Sequence, residues 1–182
     1  RDLHSFPTRR SSDLTFTNYA IAVVRYLSDG TLDAGFGIQG KSVIPYDSRD
    51  DYSYDVSMAL QPDGKIVVSG STYMHSEPYG HDLYMTIRLT GEGQIDPTFG
   101  GNGKVITSLG PGLSGNPGAV VVQPDGKIAV GGSVEGPFQA FVDFAMVRYE
   151  PTGALDQSFG NNGIVFTPVG EGAGIEDRKS VV

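Results

Sequence analysis

The sequence contains no cysteine, which excludes disulfide bonds and thiolate metal sites. No apolar run approaches the roughly 20 residues of a membrane span, and long apolar stripes with helical spacing are also absent. Basic residues are few, since 13 Lys and Arg stand against 21 Asp and Glu, for a formal net charge of −8. Nucleic acids and anionic membranes attract clustered Lys and Arg, so this balance argues against both as partners.

Glycine and proline, by contrast, are abundant. The 182 residues include 26 Gly and 11 Pro, and 38% of all residues are hydrophobic. This composition favours short strands joined by turns over a helical protein. The length is enough for one ordinary domain with a sizeable core.

The two ends of the sequence resemble translated nucleotide adapter. Residues 1–14 (RDLHSFPTRRSSDL) match, codon by codon, a common short-read sequencing adapter, and residues 177–182 match its reverse complement up to a stop codon. We therefore predict that both segments are foreign and that the natural termini lie outside the chain. The alternative is a basic N-terminal arm or targeting signal, although no apolar segment follows it. Removing their five basic and three acidic residues leaves 8 basic and 18 acidic residues, a net charge of −10.

Two signatures recur between these ends. Gln-Pro-Asp-Gly-Lys-Ile begins at Gln61 and again at Gln123, which places turn residues at Asp63, Gly64, Asp125 and Gly126. A second signature occurs three times with identical internal spacing, although the copies themselves are 63 and then 60 residues apart. Its Arg, Asp and Phe positions are Arg25, Arg88, Arg148, Asp33, Asp96, Asp156, Phe36, Phe99 and Phe159. Rigid spacing inside a variable period predicts that each position has a fixed structural task.

The third copy shows the strands most clearly. Pro-Asp-Gly is typical of a three-residue hairpin, because Pro sets φ, Asp tolerates the second position and Gly supplies a positive φ. Alternating patterns predict the strands at Ala119–Gln123, Lys127–Ser133, Phe144–Tyr149 and Gly163–Thr167. Four short strands per roughly 60 residues are typical of one blade of a β-propeller. The first copy enters at its third strand, near Tyr19.

The predicted fold is therefore all-β, a β-propeller fragment of four-stranded antiparallel blades. The predicted division is a partial blade with the last two strands at 15–46, complete blades at 47–110 and 111–170, and the start of a further segment at 171–176. A β-sandwich is the structural alternative, but it gives no reason for three identically spaced signatures. A blade needs neighbours on both faces, so the exposed outer faces and edges predict self-association or poor solubility.

Together these motifs resemble a known repeat family. The pattern LQPDGK-I-V-V-x-G, then V-R-Y, then D-G-x-L-D-x-x-F-G-x-x-G is similar to the delta-60 repeat, a β-propeller repeat of unknown function. The resemblance covers about residues 17–170. It implies a large bacterial protein that is secreted or attached to the cell surface, and it supplies no active-site residues. Leu89 departs from the pattern where the other copies have Tyr26 and Tyr149, and Gly91-Glu92-Gly93 replaces Ser28-Asp29-Gly30.

The repeated Asp, Arg and Phe positions each have a structural and a chemical interpretation. The three Asp residues could contribute to a Ca²⁺ site, but the D-x-[DN]-x-[DN]-G loop is absent. We favour a turn cap, in which the carboxylate accepts backbone N–H groups. The Arg eight residues before each Asp predicts a recurring ion pair, the alternative being a solvated Arg of little consequence. The three Phe residues are predicted to lie in the core between blades.

The other polar residues suggest little chemistry. Seven of the eight basic residues between the predicted foreign segments fall at repeat positions, so they do not form a nucleic-acid patch. His75 and His81 lie in a predicted polar surface loop, Tyr73–Asp82, with a weak metal site as the alternative. No G-x-S-x-G, H-E-x-x-H or phosphate-binding loop is present.

The sequence thus predicts a non-enzymatic scaffold or binding module without a cofactor. Its partners would be the neighbouring blades of a longer chain and an unknown protein or glycan, bound through loops 71–82 and 133–143. One alternative is a propeller hydrolase or dehydrogenase whose catalytic residues lie in further blades. Another is a repeat stabilised by Ca²⁺.

Overall fold

The computed structural model describes residues 20–45, 56–75, 80–136 and 142–169, together with the backbone of residues 2–7. The side chains of residues 1–19, of the segment 171–176 and of the predicted foreign segment 177–182 therefore lie outside the description. The described strands are β1 Asp2–Pro7, β2 Ala20–Tyr26, β3 Lys41–Pro45, β4 Ser57–Leu60, β5 Ile66–Met74, β6 His81–Leu89, β7 Lys104–Thr107, β8 Ser114–Val122, β9 Ile128–Glu135, β10 Val142–Tyr149 and β11 Ile164–Thr167.

The described strands include two complete four-stranded sheets, which follow each other along the chain. Their strand orders are β4-β5-β6-β7 and β8-β9-β10-β11, and every neighbouring pair is antiparallel. Each sheet is built from consecutive strands, as the predicted blades require, whereas a Greek-key sandwich exchanges strands between its sheets. The all-β prediction with four-stranded antiparallel blades is confirmed. Among the residues described, no helix is long and apolar enough to cross a membrane.

The Pro-Asp-Gly hairpins form as predicted. We call the sheet β1–β3 the partial blade, the sheet β4–β7 the second blade and the sheet β8–β11 the third blade. In the second blade the Gly64 N–H donates to the Gln61 carbonyl at 2.9 Å, and the Gln61 N–H donates to the Lys65 carbonyl at 2.8 Å. Gly64 has a φ of 85°, in the region that favours glycine. The Asp63 carboxylate accepts the N–H of Lys65 at 3.2 Å, which adds a side-chain cap to the turn. The third blade repeats these contacts at Gln123–Lys127.

The first strand of the third blade is longer than predicted. It begins at Ser114 rather than at Ala119, and its register shifts between Pro117 and Ala119. Proline cannot donate to the ladder, and a bulge is one of the few places where a strand tolerates it. The predicted start of this strand was wrong because Pro117 and Gly118 are residue types typical of loops. Nothing in the sequence shows that the strand continues through a bulge at this point.

The partial blade has one strand more than the predicted two. In addition to β3, β2 pairs with β1, from Asp2↔Tyr26 to Pro7↔Ile21. In the second blade β5 pairs with the third strand, β6, in the same antiparallel way, starting at Ile66↔Leu89. The segment predicted to be foreign therefore occupies the position of a second blade strand. An unpaired sheet edge offers its N–H and carbonyl groups to any extended segment, which explains the pairing without sequence specificity.

The core lies between blades rather than within one sheet. One apolar cluster joins the partial blade to the second blade and includes Ile66 and Val68, and the other joins the second to the third and includes Val67. Successive residues of β5 therefore face opposite neighbours, as the alternation of a strand requires. All three are at most 1% exposed. The middle blade is covered on both faces, and the interfaces carry the hydrophobic stabilisation.

Candidate functional site

Every copy of the repeat contains an ion pair between its Arg and its Asp. The Nε–Oδ2 distances are 2.9 Å for Arg25–Asp33, 2.8 Å for Arg88–Asp96 and 2.7 Å for Arg148–Asp156. The Arg carbonyl also accepts the backbone N–H of its Asp, at 2.9 Å in all three copies. This backbone contact holds the two residues together and explains the constant eight-residue spacing. The predicted pairing is therefore present in each copy.

The second oxygen of each Asp carboxylate caps the following turn. Oδ1 accepts the N–H of the residue two positions later, at 3.0 Å from Gly35, 3.1 Å from Thr98 and 3.0 Å from Ser158. The hydroxyls of Thr98 and Ser158 donate to the same oxygen at 2.6 Å. A cation would have to displace these donors before it could bind the carboxylates. Within the described ranges, no cluster of three or more His, Cys, Asp or Glu could hold a metal ion.

Consecutive blades meet at a repeated contact, which we call the joint. Its first half comprises the Arg, the Phe and the following Gly of one blade, and its second half is the turn after the third strand of the next blade. The Arg88 guanidinium donates through Nη1 to the Pro151 carbonyl, and the Gly100 N–H donates to the Thr152 carbonyl at 2.8 Å. The joint before it is built alike, with Arg25 and Gly37 donating to the carbonyls of Gly91 and Glu92.

The joint also explains the glycine at the end of each receiving turn. A Cβ atom on Gly93 would lie 2.8 Å from the Phe36 ring, and one on Gly153 would lie 3.0 Å from the Phe99 ring. Both glycines also have a positive φ, 83° and 90°. Two requirements, backbone conformation and close approach of a ring, therefore coincide at one position.

Two of the three Phe residues are buried between blades as predicted, and the inter-blade position of Phe159 stays a prediction. Phe36 and Phe99 are fully buried in the joints, with the guanidinium carbons of Arg25 and Arg88 lying 4.6 and 4.9 Å from their ring centroids. Phe159 stacks on Arg148 at 4.2 Å but remains half-buried. The difference arises because no following turn lies against Phe159 among the described residues.

Two lysine side chains form further ion pairs near the joints. Lys127 Nζ lies 2.8 Å from Asp156 Oδ2 and 2.9 Å from Glu150 Oε1, and these contacts raise the pKa of Lys127. In the second blade Lys65 Nζ lies 3.1 Å from Asp63 Oδ2. These basic residues are held in ion pairs within their own blade. That arrangement agrees with the absence of a nucleic-acid patch, which stays a prediction.

These ion pairs predict that the chain loses stability in acid. Burial alone would raise the pKa of Asp96, but the hydrogen bonds from Thr98 and the charge of Arg88 outweigh it, so this pKa lies below its ordinary value. The pKa of Asp156 is also lowered, chiefly by its hydrogen bond from Lys127. A depressed folded-state pKa stabilises the fold above the unfolded value of about 3.9, and the contribution disappears as the pH falls through the folded-state value.

The urea midpoint should therefore fall steadily below about pH 5. Asp82, whose pKa is raised by burial and by the charge of Glu135, acts in the opposite direction but is a single group. Asp96→Asn is the matched variant, with a lower midpoint at neutral pH and a shallower acid slope. A midpoint that stays constant or rises between about pH 6 and pH 3 would contradict the assigned role of these carboxylates.

Comparison with known families agrees with this geometry. The chain is similar to the family model described as a β-propeller domain of unknown function (DUF5122), which matches residues 12–36, 61–79 and 123–159. These are β-propeller blades. The last matched segment runs from the Pro-Asp-Gly turn through β9 and β10 to Phe159, and so contains one Arg–Asp pair. The first matched range includes the last three residues of the predicted foreign segment 1–14. Neither the curated proteins nor the solved structures include a match.

The two predicted binding loops lie at the opposite end of the propeller blades from the joints. Antiparallel strands reverse direction, so the connection between the second and third strands lies opposite the Pro-Asp-Gly turn. We call this the loop end, formed by residues 71–75, 80–82, 114, 133–136 and 142–143. The Asp82 N–H donates to Ser114 Oγ at 2.9 Å, and the Tyr84 hydroxyl donates to the Ser133 carbonyl at 3.4 Å, so the loop ends of the two blades lie side by side. Residues 76–79 and 137–141 of these loops lie outside the described residues.

The predicted polar loop Tyr73–Asp82 is shorter than expected. β5 continues to Met74 and β6 starts at His81, so both ends of the predicted loop belong to paired strands. His81 is buried at 8% exposure, which corrects the prediction of a surface position. His75 is exposed, and its ring contacts that of Tyr73 edge to face, with centroids 4.9 Å apart. Sequence alone could not separate these two histidines, because nothing in the sequence marks His81 as the first residue of β6.

Sequence reasoning missed two other features. In the joint, the Arg guanidinium donates to the backbone carbonyls of Gly91 and Pro151. These two residue types share no side-chain property that would mark them in the sequence. The Asp82–Ser114 contact joins different blades and has no counterpart in the repeat pattern. Only the constant Gly that ends each receiving turn, such as Gly153, could have pointed to the joint.

Proposed function

We propose that the chain is a non-enzymatic binding or scaffold segment of a larger, secreted bacterial propeller protein of the delta-60 type, and that it binds its partner through the loop end. The observation that carries this proposal is the difference between the two ends of the blades. At the joint, the Arg, Asp, Phe and Gly recur unchanged. At the loop end, the pairs at equivalent repeat positions differ: Tyr73–Asp82 in the second blade corresponds to Glu135–Val142 in the third.

This difference matters because recognition of a particular partner needs side chains that are not repeated. The hairpin is also two residues longer in the second blade, since Gln61 and Arg88 are 27 residues apart while Gln123 and Arg148 are 25 apart. Loops on a rigid scaffold are where binding residues concentrate. The repeated polar groups, by contrast, already have partners within the joints and turns. A ligand at the loop end would meet an acidic surface with one exposed imidazole, that of His75.

The test is a glycan and peptide array probed with the labelled chain. His75→Ala is expected to reduce any bound signal at least tenfold, because it removes an exposed aromatic ring at the loop end. Glu92→Ala is the matched control, since its exposed side chain lies at the opposite end and only its carbonyl enters the joint. Equal loss in both variants, or no binding above background, would contradict recognition at the loop end.

The scaffold and enzyme alternatives are separated by the complete gene. Uniform blades, a signal peptide and a surface-sorting domain would support the scaffold. Singular His, Asp or Glu residues on channel-facing loops would overturn it in favour of an enzyme. The same nucleotide sequence tests the predicted foreign segments, because synonymous codons that depart from the adapter at residues 1–14 would contradict that prediction.

A further inference from the structure

The joint consists of two separable halves. The donor half, taken from one blade, is an Arg guanidinium, a Phe ring and a Gly N–H. The acceptor half, taken from the next blade, is a turn with two consecutive carbonyls followed by a glycine. Among the described residues two joints are complete, one between the partial and second blades and one between the second and third.

The third blade carries a donor half with no acceptor among the described residues. The Arg148 side chain is 22% exposed, against 5% for Arg88 in the complete joint. The apolar face beside it is uncovered as well. Val121 is 55% exposed, and Phe144 is half-buried where the equivalent Tyr84 of the second blade is fully buried.

The partial blade carries an acceptor half that no donor occupies among the described residues. Its turn is Leu27–Gly30, and Ser28, Asp29 and Gly30 are all exposed. Gly30 has the same φ of 83° as Gly93, yet a Cβ there would meet nothing within 4 Å, whereas one on Gly93 would strike a Phe ring. The turn therefore has the conformation of an acceptor half with the space for the ring still open.

The apolar face of the partial blade is also incompletely covered. Val24 is half-buried, while Val147, at the same repeat position in the third blade, is fully buried. The partial blade thus exposes part of the surface through which the third blade packs onto the second.

We propose that a second copy of this chain completes both halves, joining head to tail. Arg148 Nη1 of one copy would donate to the Ser28 carbonyl of the other, the Gly160 N–H would donate to the Asp29 carbonyl, and the Phe159 ring would cover Gly30. The assignment follows from the two complete joints, since each of these three contacts occupies its repeat-equivalent position. The contact is heterologous, because different surfaces meet, so it can propagate into longer assemblies. The net charge of −8 opposes association at low ionic strength.

The first test is sedimentation velocity of the full chain across a concentration series at moderate salt. The weight-average mass should rise with concentration above the 19.3 kDa of one copy. Gly30→Asn should hold it at one copy, because Asn tolerates positive φ but its side chain would occupy the space of the Phe159 ring. Gly64→Asn is the matched control, since Gly64 has a φ of 85° with open space around it and lies in no joint half. This control should associate as the unmodified chain does.

The second test separates head-to-tail joining from other modes. Phe159→Ala removes the donor ring and should also stay monomeric. Mixing Phe159→Ala with Gly30→Asn restores one intact joint, so the mixture should form a dimer that does not grow further. The proposal is overturned if the unmodified chain is monomeric throughout, which would leave these faces to further blades of a longer chain. Self-association that Gly30→Asn leaves unchanged would also overturn it, in favour of a symmetric contact between third blades or non-specific aggregation.

Discussion

Replacing Arg88 with alanine is expected to lower the free energy of unfolding by about 3 kcal/mol, near the lower end of the range for a broken buried ion pair. The guanidinium donates to Asp96 Oδ2 at 2.8 Å, to Thr98 Oγ1 at 2.9 Å and to the Pro151 carbonyl. Truncation leaves a carboxylate that is 5% exposed, with Lys65 Nζ at 3.7 Å as its remaining counter-ion. The loss stays at the lower end because Asp96 keeps its hydrogen bonds from Thr98. Urea unfolding followed by circular dichroism measures the change.

Two companion variants test how far the loss depends on the shape of the guanidinium and on the contacts around it. Arg88→Lys keeps the charge but cannot reach Asp96 and the next blade together, so it should recover only part of the loss. Arg148→Ala should cost less than Arg88→Ala, because Lys127 still holds Asp156 at 2.8 Å and no acceptor turn is described opposite it. A change below about 0.5 kcal/mol for Arg88→Ala would instead indicate a solvated Arg without structural consequence.

Local features of the fold could be read from the sequence. The Pro-Asp-Gly turn is specified by three adjacent residues, and its hydrogen bonds at Gln61–Lys65 formed as predicted. The Arg–Asp pair spans only eight residues, and its identical spacing in three copies pointed to a contact within each blade. In both cases the physical cause lies within a short stretch of chain, where residue type and spacing determine geometry.

Contacts between blades could not be read in the same way. The joint depends on carbonyl oxygens, which every residue has, so nothing at Gly91 or Pro151 marks it. Phe159 carries the same signature as Phe99 but is half-buried, because burial depends on which blade follows. Identical local sequence therefore fixes the conformation of each blade, while the neighbours decide its exposure.

Phe99→Ala is expected to have the other large effect, lowering the free energy of unfolding by about 3–5 kcal/mol. The ring is fully buried in the cluster between the second and third blades, with Tyr149 and Val130. It also fills the space above Gly153. Truncation therefore opens a cavity at an interface rather than inside one sheet. Because blades are stabilised chiefly by their neighbours, the loss should fall on the coupling between the second and third blades.

This location gives the prediction a signature beyond its magnitude. Weakening an interface between repeats should broaden the urea transition or divide it, with the third blade unfolding first. Phe159→Ala is the matched control, since the same residue at the same repeat position is half-buried and has no described turn against it. Truncating it should cost less than half as much and leave the transition width unchanged in the monomer. Equal losses at the two positions would mean that the ring stabilises its own Asp-x-x-Phe turn, and that the joint contributes little to holding the blades together.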